Sequence, residues 1–165
     1  MAEPRTGDEK AMLSAFLDQQ SDVMLWKLEG LTDDQVRQPI TPTGMSLLAL
    51  VKHVAGAECY WLCEIFGRPT GPWRLPGSDD VELLPGDTID RVLAFSARAR
   101  EARNEAISEL DLDATATTWL GDTVSFRWAI LHVIEEEARH AGHADIIREH
   151  IDNATGYLPP GNLPY

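Results

Sequence analysis

The sequence predicts an all-α protein, a four-helix bundle with a long crossover connection between its second and third helices. Three observations lead to this prediction. Four segments of about 20 residues repeat apolar residues at helical spacing, and no segment shows the alternation typical of a half-buried strand. A chain of 165 residues also has the size of one domain built from four such helices. We therefore expect one domain over residues 1–165.

The first two long helices have recognisable start and stop signals. The first is expected over residues 8–29, and Gly30 ends it. A short helical turn should follow, because residues 32–35 have the form of a capping box. The second long helix is expected over residues 46–66, before a segment rich in glycine and proline.

The other two long helices occupy the second half of the chain. The third is expected to begin after Asp87 or Thr88, either of which is a suitable N-cap, and to end near Leu110. The fourth is expected to contain residues 127–148. These two helices complete the predicted bundle.

The connections differ in character. Residues 67–87 are rich in glycine and proline and are expected to form a crossover or an active-site lid, from which Trp73 could cover a pocket. The connection over residues 111–125 has room for a short β-like excursion. A tail rich in proline and glycine begins at about residue 153 and cannot be helical across its prolines.

The charge of the chain limits its partners. A net charge of -13 opposes binding to nucleic acid or to an anionic membrane surface. The amino-terminal segment lacks the apolar core of a secretion signal, and no stretch approaches the roughly 18 apolar residues of a membrane span. We expect a cytoplasmic protein with no nucleic-acid or membrane partner.

The two cysteines predict no reactive site. Cys59 and Cys63 lie four residues apart on the second helix, where their α-carbons would be about 6 Å apart, near the long limit for a disulfide. They also lie some 80° to 120° around that helix from His53. We interpret them as reduced thiols that pack in the core.

The fourth helix has polar side chains in its inward-facing stripe. Glu136 and His140 interrupt this stripe one turn apart, so their β-carbons should lie about 6 Å apart on the same face. Burying such groups is unfavourable unless something binds them, and their spacing suits two ligands of one metal ion. The stripe consists of Ala129, Val133, Glu136, His140, Ala144 and Ile147.

The second helix offers a third candidate ligand, His53. Its helical neighbours Ala49, Gly56 and Ala57 are small and leave room beside the imidazole, as the wall of a cavity would. Close packing of two helices favours the same small residues. A histidine taken alone is also more often an ordinary core or surface residue than a ligand.

Two more histidines share the face of the fourth helix. His132 and His143 are eleven residues apart, about 16 Å along the axis, so they cannot bind the same ion. Spacing alone allows either His132 with Glu136 or Glu136 with His140 as the pair. The remaining histidines would then be hydrogen-bond donors behind the ligands, pocket walls or exposed groups.

Two long segments resemble the DinB-like superfamily of bacterial metal-binding bundles, in the branch linked to mycothiol-dependent enzymes. The resemblance covers nearly the whole chain, and HAGHADIIRE is its most specific part. The segments are TVSFRWAILHVIEEEARHAGHADIIREHIDNATGY and PTGMSLLALVKHVAGAECYWL.

The resemblance implies a metal ion, often zinc or nickel, held by one histidine of the second helix and two residues of the last. Residue by residue, it implies the ligands His53, Glu136 and His140. Many relatives have histidine at the position of Glu136, whereas the maleylpyruvate isomerase branch has glutamate. Asp145 and Arg148 also belong to the motif, but Asp145 should project nearly opposite Glu136, so we expect a structural or interface role for it.

Two imidazoles and one carboxylate leave a divalent ion an open position, as at catalytic zinc sites. A thiol that enters this position would be deprotonated and become a nucleophile. The resemblance implies a low-molecular-weight thiol, mycothiol first, that attacks a small-molecule electrophile in S-transfer or isomerisation. No residue is identified as a general base.

Other functions fit the same residues. A bound water in place of the thiol would make the protein a metallohydrolase. The chain could also be a metal-binding stress protein without turnover, or a scaffold. A homodimer and a monomer both fit the tail and the apolar face of the first helix.

Overall fold

The fold, seen in a computed structural model that describes residues 6–68, 70 and 82–156, is mostly helical. Four long helices and one short helix account for most of these residues, and a small two-stranded sheet is added to them. The all-α prediction therefore holds in outline. The helices are α1 (Glu9–Trp26), α2 (Asp33–Arg37), α3 (Leu47–Leu62), α4 (Ile89–Glu109) and α5 (Phe126–Asp152), with strands β1 (Thr115–Thr117) and β2 (Thr123–Ser125).

The helix starts follow from the residues that precede them. In each case a side-chain oxygen accepts a hydrogen bond from a backbone N–H of the first turn, which would otherwise lack a partner. Thr32 and Gln35 form both hydrogen bonds of the predicted capping box. The five capping residues are Asp8, Thr32, Ser46, Thr88 and Ser125.

Two helices end earlier than the apolar pattern predicts. α1 ends at Trp26, three residues before Glu29. α3 ends at Leu62, and a separate 3-10 helix covers Glu64–Phe66. Gly67 closes this turn at φ 69°, a left-handed conformation that glycine adopts without strain. The apolar pattern continued through the tighter turn, so the sequence did not show the break.

The connection after α4 contains a β-hairpin. β1 and β2 pair antiparallel, with Ala116 opposite Val124. Each strand has only three residues, too few for a visible alternation of apolar and polar residues. The hairpin tip carries Trp119 and Leu120, which are both largely exposed. The predicted β-like excursion is thus confirmed, and the fold is not purely helical.

The long helices pack so that α3 contacts both α4 and α5, and α1 packs against α5. Among the described residues, two large apolar clusters and a small third one fill the interior. One large cluster contains Met24, Val51 and Ala144 toward one end of the helices. The other large cluster contains Leu17 and Ile130 toward the opposite end.

The long crossover is described only at its two ends. Asp87 does not cap α4; its Oδ2 instead accepts a hydrogen bond from Lys52 of α3 at 2.8 Å. This contact holds the end of the crossover against α3. Trp73, expected in a lid, lies outside the described residues, as does the tail from residue 157 onward.

Candidate metal centre

Three side chains from two helices meet at one point. His53 lies on α3, and Glu136 and His140 lie on α5. Oε1 of Glu136 is 3.4 Å from Nε2 of His53 and 3.1 Å from Nε2 of His140. The two imidazole rings have centroids 5.0 Å apart and are nearly perpendicular, at 81°. The structure thus brings together all three residues that the sequence predicts as ligands.

The local sequence explains how the three side chains converge. Glu136 and His140 are four residues apart on α5, so they project to the same side one turn apart. On α3, Ala49 and Ala57 flank His53 one turn on either side and are buried. Because these side chains are short, they leave space for the His53 ring next to α5.

The cluster is accessible to solvent. The exposed fractions of the side chains are 20% for His53, 26% for Glu136 and 15% for His140. A small molecule can therefore reach the polar atoms without displacing the apolar core. These exposures place the cluster at the protein surface.

The electrostatics of the cluster favour a charged carboxylate beside a neutral imidazole. Burial raises the pKa of Glu136, but hydrogen bonding to His53 and the charge of His140 outweigh it, so the pKa lies below its ordinary value. Burial lowers the pKa of His140, and the nearby Glu136 opposes this only in part. A carboxylate and a neutral imidazole are the forms in which these residues bind metals.

The three residues fit a divalent metal ion. One carboxylate oxygen and two imidazole nitrogens match the ligand set of catalytic zinc, with bonds of about 2 Å. Ligand atoms around such a tetrahedral ion lie roughly 3 to 3.5 Å apart. The candidate ligand atoms all lie within 4.8 Å of one another, and both contacts of Glu136 fall within that narrower range.

His132 belongs to a different cluster. Its ring stacks on Trp128 with centroids 4.9 Å apart and an angle of 8° between the planes. It also meets Trp61 edge to face at 4.5 Å. Of the two pairings that the spacing allows, the geometry therefore brings together Glu136 and His140.

His143 lies behind His140. The Nδ1 atoms of the two rings are 3.4 Å apart, so one of them must donate a proton and the other accept it. This contact leaves Nε2 of His140 directed toward Glu136. The expected role of a hydrogen-bond partner behind a ligand agrees with this position.

A second polar cluster, which the sequence prediction missed, lies inside the protein. Ser21 Oγ is 2.7 Å from Glu58 Oε1 and 3.1 Å from Glu137 Oε2. Arg103 of α4, which is fully buried, approaches the same Glu58 oxygen at 3.3 Å. Burial and the charge of Glu58 raise the pKa of Glu137 well above its ordinary value. The four helices α1, α3, α4 and α5 each contribute one residue to this buried cluster.

The sequence did contain a signal for the buried cluster. Glu137 lies one turn from Val133 and Ala141, and both of these residues are buried. Glu58 is likewise one turn before the buried Leu62. Glu137 closes a run of three glutamates, which resembles a solvated surface, so charge alone concealed its position.

The cysteines behave as predicted. Cys59 and Cys63 are free and buried. Burial raises the pKa of each thiol to about 12, and neighbouring acidic groups add to the effect. Neither thiol ionises readily near neutral pH, so neither is prepared to act as a nucleophile.

Asp145 and Arg148 hold helix ends together. Asp145 forms an ion pair with the buried Lys27 of the α1 end at 2.5 Å. Arg148 donates to the carbonyl oxygens of Lys27 and Glu29, and it also pairs with Asp152. The expected structural role of Asp145 agrees with these contacts, which lie away from Glu136.

Comparison with known protein families gives a match that covers most of the chain. The profile of the family described as "MST: Mycothiol-S-transferase", a DinB-like family, matches residues 12–153. This range contains the three candidate ligands and the buried cluster. No curated protein matches the chain significantly. Within the part of the chain that the structure describes, no helix is both long and apolar enough to cross a membrane.

Proposed function

Because the chain belongs to the mycothiol-S-transferase family, we propose that it is a metal-dependent transferase that joins mycothiol to a small electrophile. The observation that carries this proposal is the open cluster of His53, Glu136 and His140. In our proposal these three residues hold a divalent ion, with zinc the first candidate and nickel the second. The remaining open position would take the thiol.

A divalent ion held there would supply the positive charge that keeps a bound thiol in its thiolate form at neutral pH. In the transfer, the sulfur forms a bond to the electrophilic carbon. The bond from that carbon to its leaving group breaks, and the leaving group departs with the electron pair. The thiol proton passes to solvent. Isomerisation would use the same sulfur attack in a reversible adduct.

The chain's own residues prepare this site. The lowered pKa of Glu136 keeps a negative charge ready for a cation, and the lowered pKa of His140 keeps its imidazole neutral. His143 fixes the side of the His140 ring that faces away from Glu136. Since both cysteines of the chain are buried and protonated, the reacting thiol has to come from outside.

The wider proposals follow from the same family membership. We propose that the four long helices form a four-helix bundle, that residues 1–165 form one domain, and that the protein works in the cytoplasm. The net charge of -13 supports the proposal that nucleic acid and membranes are not partners. A homodimer is one arrangement that this proposal permits, and a monomer is the other.

A direct test is a turnover assay with zinc-loaded protein, mycothiol and iodoacetamide, in which mass spectrometry detects the thioether. We expect conjugate formation with the wild-type chain. For Glu136→Gln we expect a rate at least about 100-fold lower. Replacing a residue that only hydrogen-bonds a metal ligand typically costs about 10- to 100-fold in activity, and replacing a ligand itself should cost more. Equal rates for the two proteins would contradict the proposal.

The alternative functions give different outcomes in the same experiment. A metallohydrolase would release a product without sulfur from an ester substrate, and mycothiol would not be needed. A scaffold or a stress protein without turnover would form no product with either substrate. Cobalt-substituted protein gives a second readout, because mycothiol binding at the site should change its absorption spectrum.

A further inference from the structure

Next to the candidate metal centre, aromatic side chains of α3 and α5 contact one another, and the proposed chemistry does not use them. Trp61 forms edge-to-face contacts with Tyr60, Trp128 and His132 at 5.0, 5.6 and 4.5 Å between ring centroids. Trp128 and His132 are stacked almost parallel. We call these four residues, Tyr60, Trp61, Trp128 and His132, the aromatic platform.

The platform lies about one turn of α5 from the candidate centre. His132 lies four residues before Glu136, which places it one turn, about 6 Å, along the same face of α5. Trp61 lies eight residues after His53, about 12 Å along α3 and about 80° around it, on the side that contacts Trp128 and His132 of α5. A molecule whose reacting atom sits at the metal centre could therefore extend over the rings within the length of an ordinary small substrate.

The platform offers open apolar surface. Trp128 is 45% exposed, and the nearby Leu131 is 50% exposed. The backbone N–H of Trp119 donates to Oη of Tyr60 at 3.1 Å, which ties the exposed tip of the hairpin to the edge of the platform. Exposed aromatic surface of this kind beside a polar cluster is typical of a ligand groove.

The charges around the platform fit a neutral ligand. Arg127, next to Trp128 in the chain, pairs with Glu9 and Asp113. Arg139 pairs with Glu135. Both cations therefore already have carboxylate partners, and they offer little to an anionic group. Apolar rings beside cations that are already paired, as Arg127 and Arg139 are among the described residues, favour a neutral aromatic or apolar group.

We propose that the aromatic platform binds a neutral aromatic or apolar part of the electrophile while the thiol occupies the metal centre. The proposal rests on the proposed thiol transfer and adds the class of the second substrate. Stacking on Trp128 and His132 would hold the electrophile over the site, and Tyr60 would keep the hairpin at its edge. The enzyme should then prefer aromatic electrophiles to small aliphatic ones.

A comparison of two electrophiles tests the proposal. With zinc-loaded protein and mycothiol, Trp128→Ala should raise KM for 1-chloro-2,4-dinitrobenzene about tenfold, the size expected for the loss of one aromatic stack. The KM for iodoacetamide should stay within about twofold, because that molecule is too small to reach the platform. Trp128→Phe should restore most of the affinity. Ile146→Ala, another exposed apolar residue of α5, is the matched control and should change neither constant.

Several outcomes would overturn the proposal. An increase in KM for mycothiol, with no change for the dinitrobenzene, would place the thiol on the platform. Unchanged constants for both electrophiles would make the rings purely structural. Dissociation of a dimer by Trp128→Ala in analytical ultracentrifugation would mean that a second copy of the chain covers the platform.

A binding measurement separates this proposal from the proposed transfer itself. Protein labelled with 5-fluorotryptophan can be titrated with 1,3-dinitrobenzene, which has no leaving group and needs no turnover. We expect the fluorine signals of Trp61 and Trp128 to shift, and the signal of Trp26, which packs beneath Lys27, to stay fixed. If these signals shift but the turnover assay with mycothiol gives no conjugate, the platform is retained and the transferase is rejected. Fixed signals for Trp61 and Trp128 would reject the platform.

Discussion

Glu136 and Glu137 are neighbours on α5, and the difference between them shows how one helix serves two polar sites. Glu136 is partly exposed and contacts two imidazoles. Glu137 is fully buried, and a serine, a second glutamate and an arginine surround it. The pKa of Glu136 is lowered, whereas that of Glu137 is raised well above its ordinary value. The same side chain is thus prepared for a cation in one site and for a proton in the other.

The pKa values of the two glutamates differ because their exposure to solvent and the charges of their neighbours differ. At Glu136, two imidazole contacts outweigh a moderate loss of solvent. At Glu137, the loss of solvent is nearly complete, and Glu58 adds negative charge that Arg103 offsets only in part. We interpret the open site as functional and the closed one as a polar contact that holds four helices in register. Each prediction below separates these two roles.

The largest effect is expected from the arginine of the closed site. Arg103→Met should lower the free energy of unfolding by about 3 to 5 kcal/mol, because Glu58 then remains buried without its cation. Arg100, on the same helix, pairs with Asp22 nearer the surface, so Arg100→Met should lower it by less than about 1 kcal/mol. Urea unfolding of both variants gives the comparison. Losses of equal size would show that Arg103 has no special role.

A smaller effect should appear in the pH dependence of stability. The pKa of Glu137 is raised in the folded protein. As the pH rises above the ordinary pKa of 4.5, the unfolded chain therefore loses the Glu137 proton while the folded protein still holds it. Stability from this group is therefore present at low pH and is lost as the pH rises. Relative to Glu137→Gln, which cannot ionise, the wild-type protein should lose up to about 1.4 kcal/mol per pH unit above that value.

The measurement is urea unfolding of the two metal-free proteins at several pH values with a chelator present. Other ionisable groups cancel in the difference between them to first order. A difference that stays constant across the pH range would mean that Glu137 is ionised in the folded protein. Glu136 and Glu137 would then both be charged, and the proposed difference between them would be wrong.

The smallest effect concerns the histidines around the open site. His143→Ala should weaken zinc binding by about tenfold or less, since His143 orients a ligand and is not one itself. His132→Ala should leave the zinc affinity unchanged, because His132 stacks on Trp128 in the platform. Competition with a chromophoric chelator measures both affinities. A larger loss for His132→Ala would favour the alternative pairing with Glu136.

The sequence was sufficient to predict the main helices and the open cluster, because both depend on local rules. Local signals placed the capping box at Thr32 and the start of α3 near Ser46, and they narrowed the N-cap of α4 to Asp87 or Thr88, of which Thr88 is the one observed. The pair Glu136 and His140 is visible because two polar residues interrupt one apolar stripe. His53 was a candidate because its helical neighbours are small, but close helix packing explains the same neighbours, and the family resemblance selected it as a ligand.

The rest depends on contacts between helices that are distant in the chain. Ser21 and Glu137 are separated by 116 residues, and only the packed helices bring them together. The aromatic platform likewise combines Trp61 of α3 with Trp128 of α5. Periodicity describes which way a residue faces on its own helix, and it does not show what lies opposite.

The most direct test of the central claim is zinc binding by the wild-type chain, Glu136→Gln and Glu137→Gln, measured by equilibrium dialysis and elemental analysis. We expect about one zinc per chain for the wild type and for Glu137→Gln, and an affinity at least about 100-fold lower for Glu136→Gln. This result would assign the metal to the open site. Full zinc affinity in Glu136→Gln, or an equal loss in Glu137→Gln, would contradict the proposed centre of His53, Glu136 and His140.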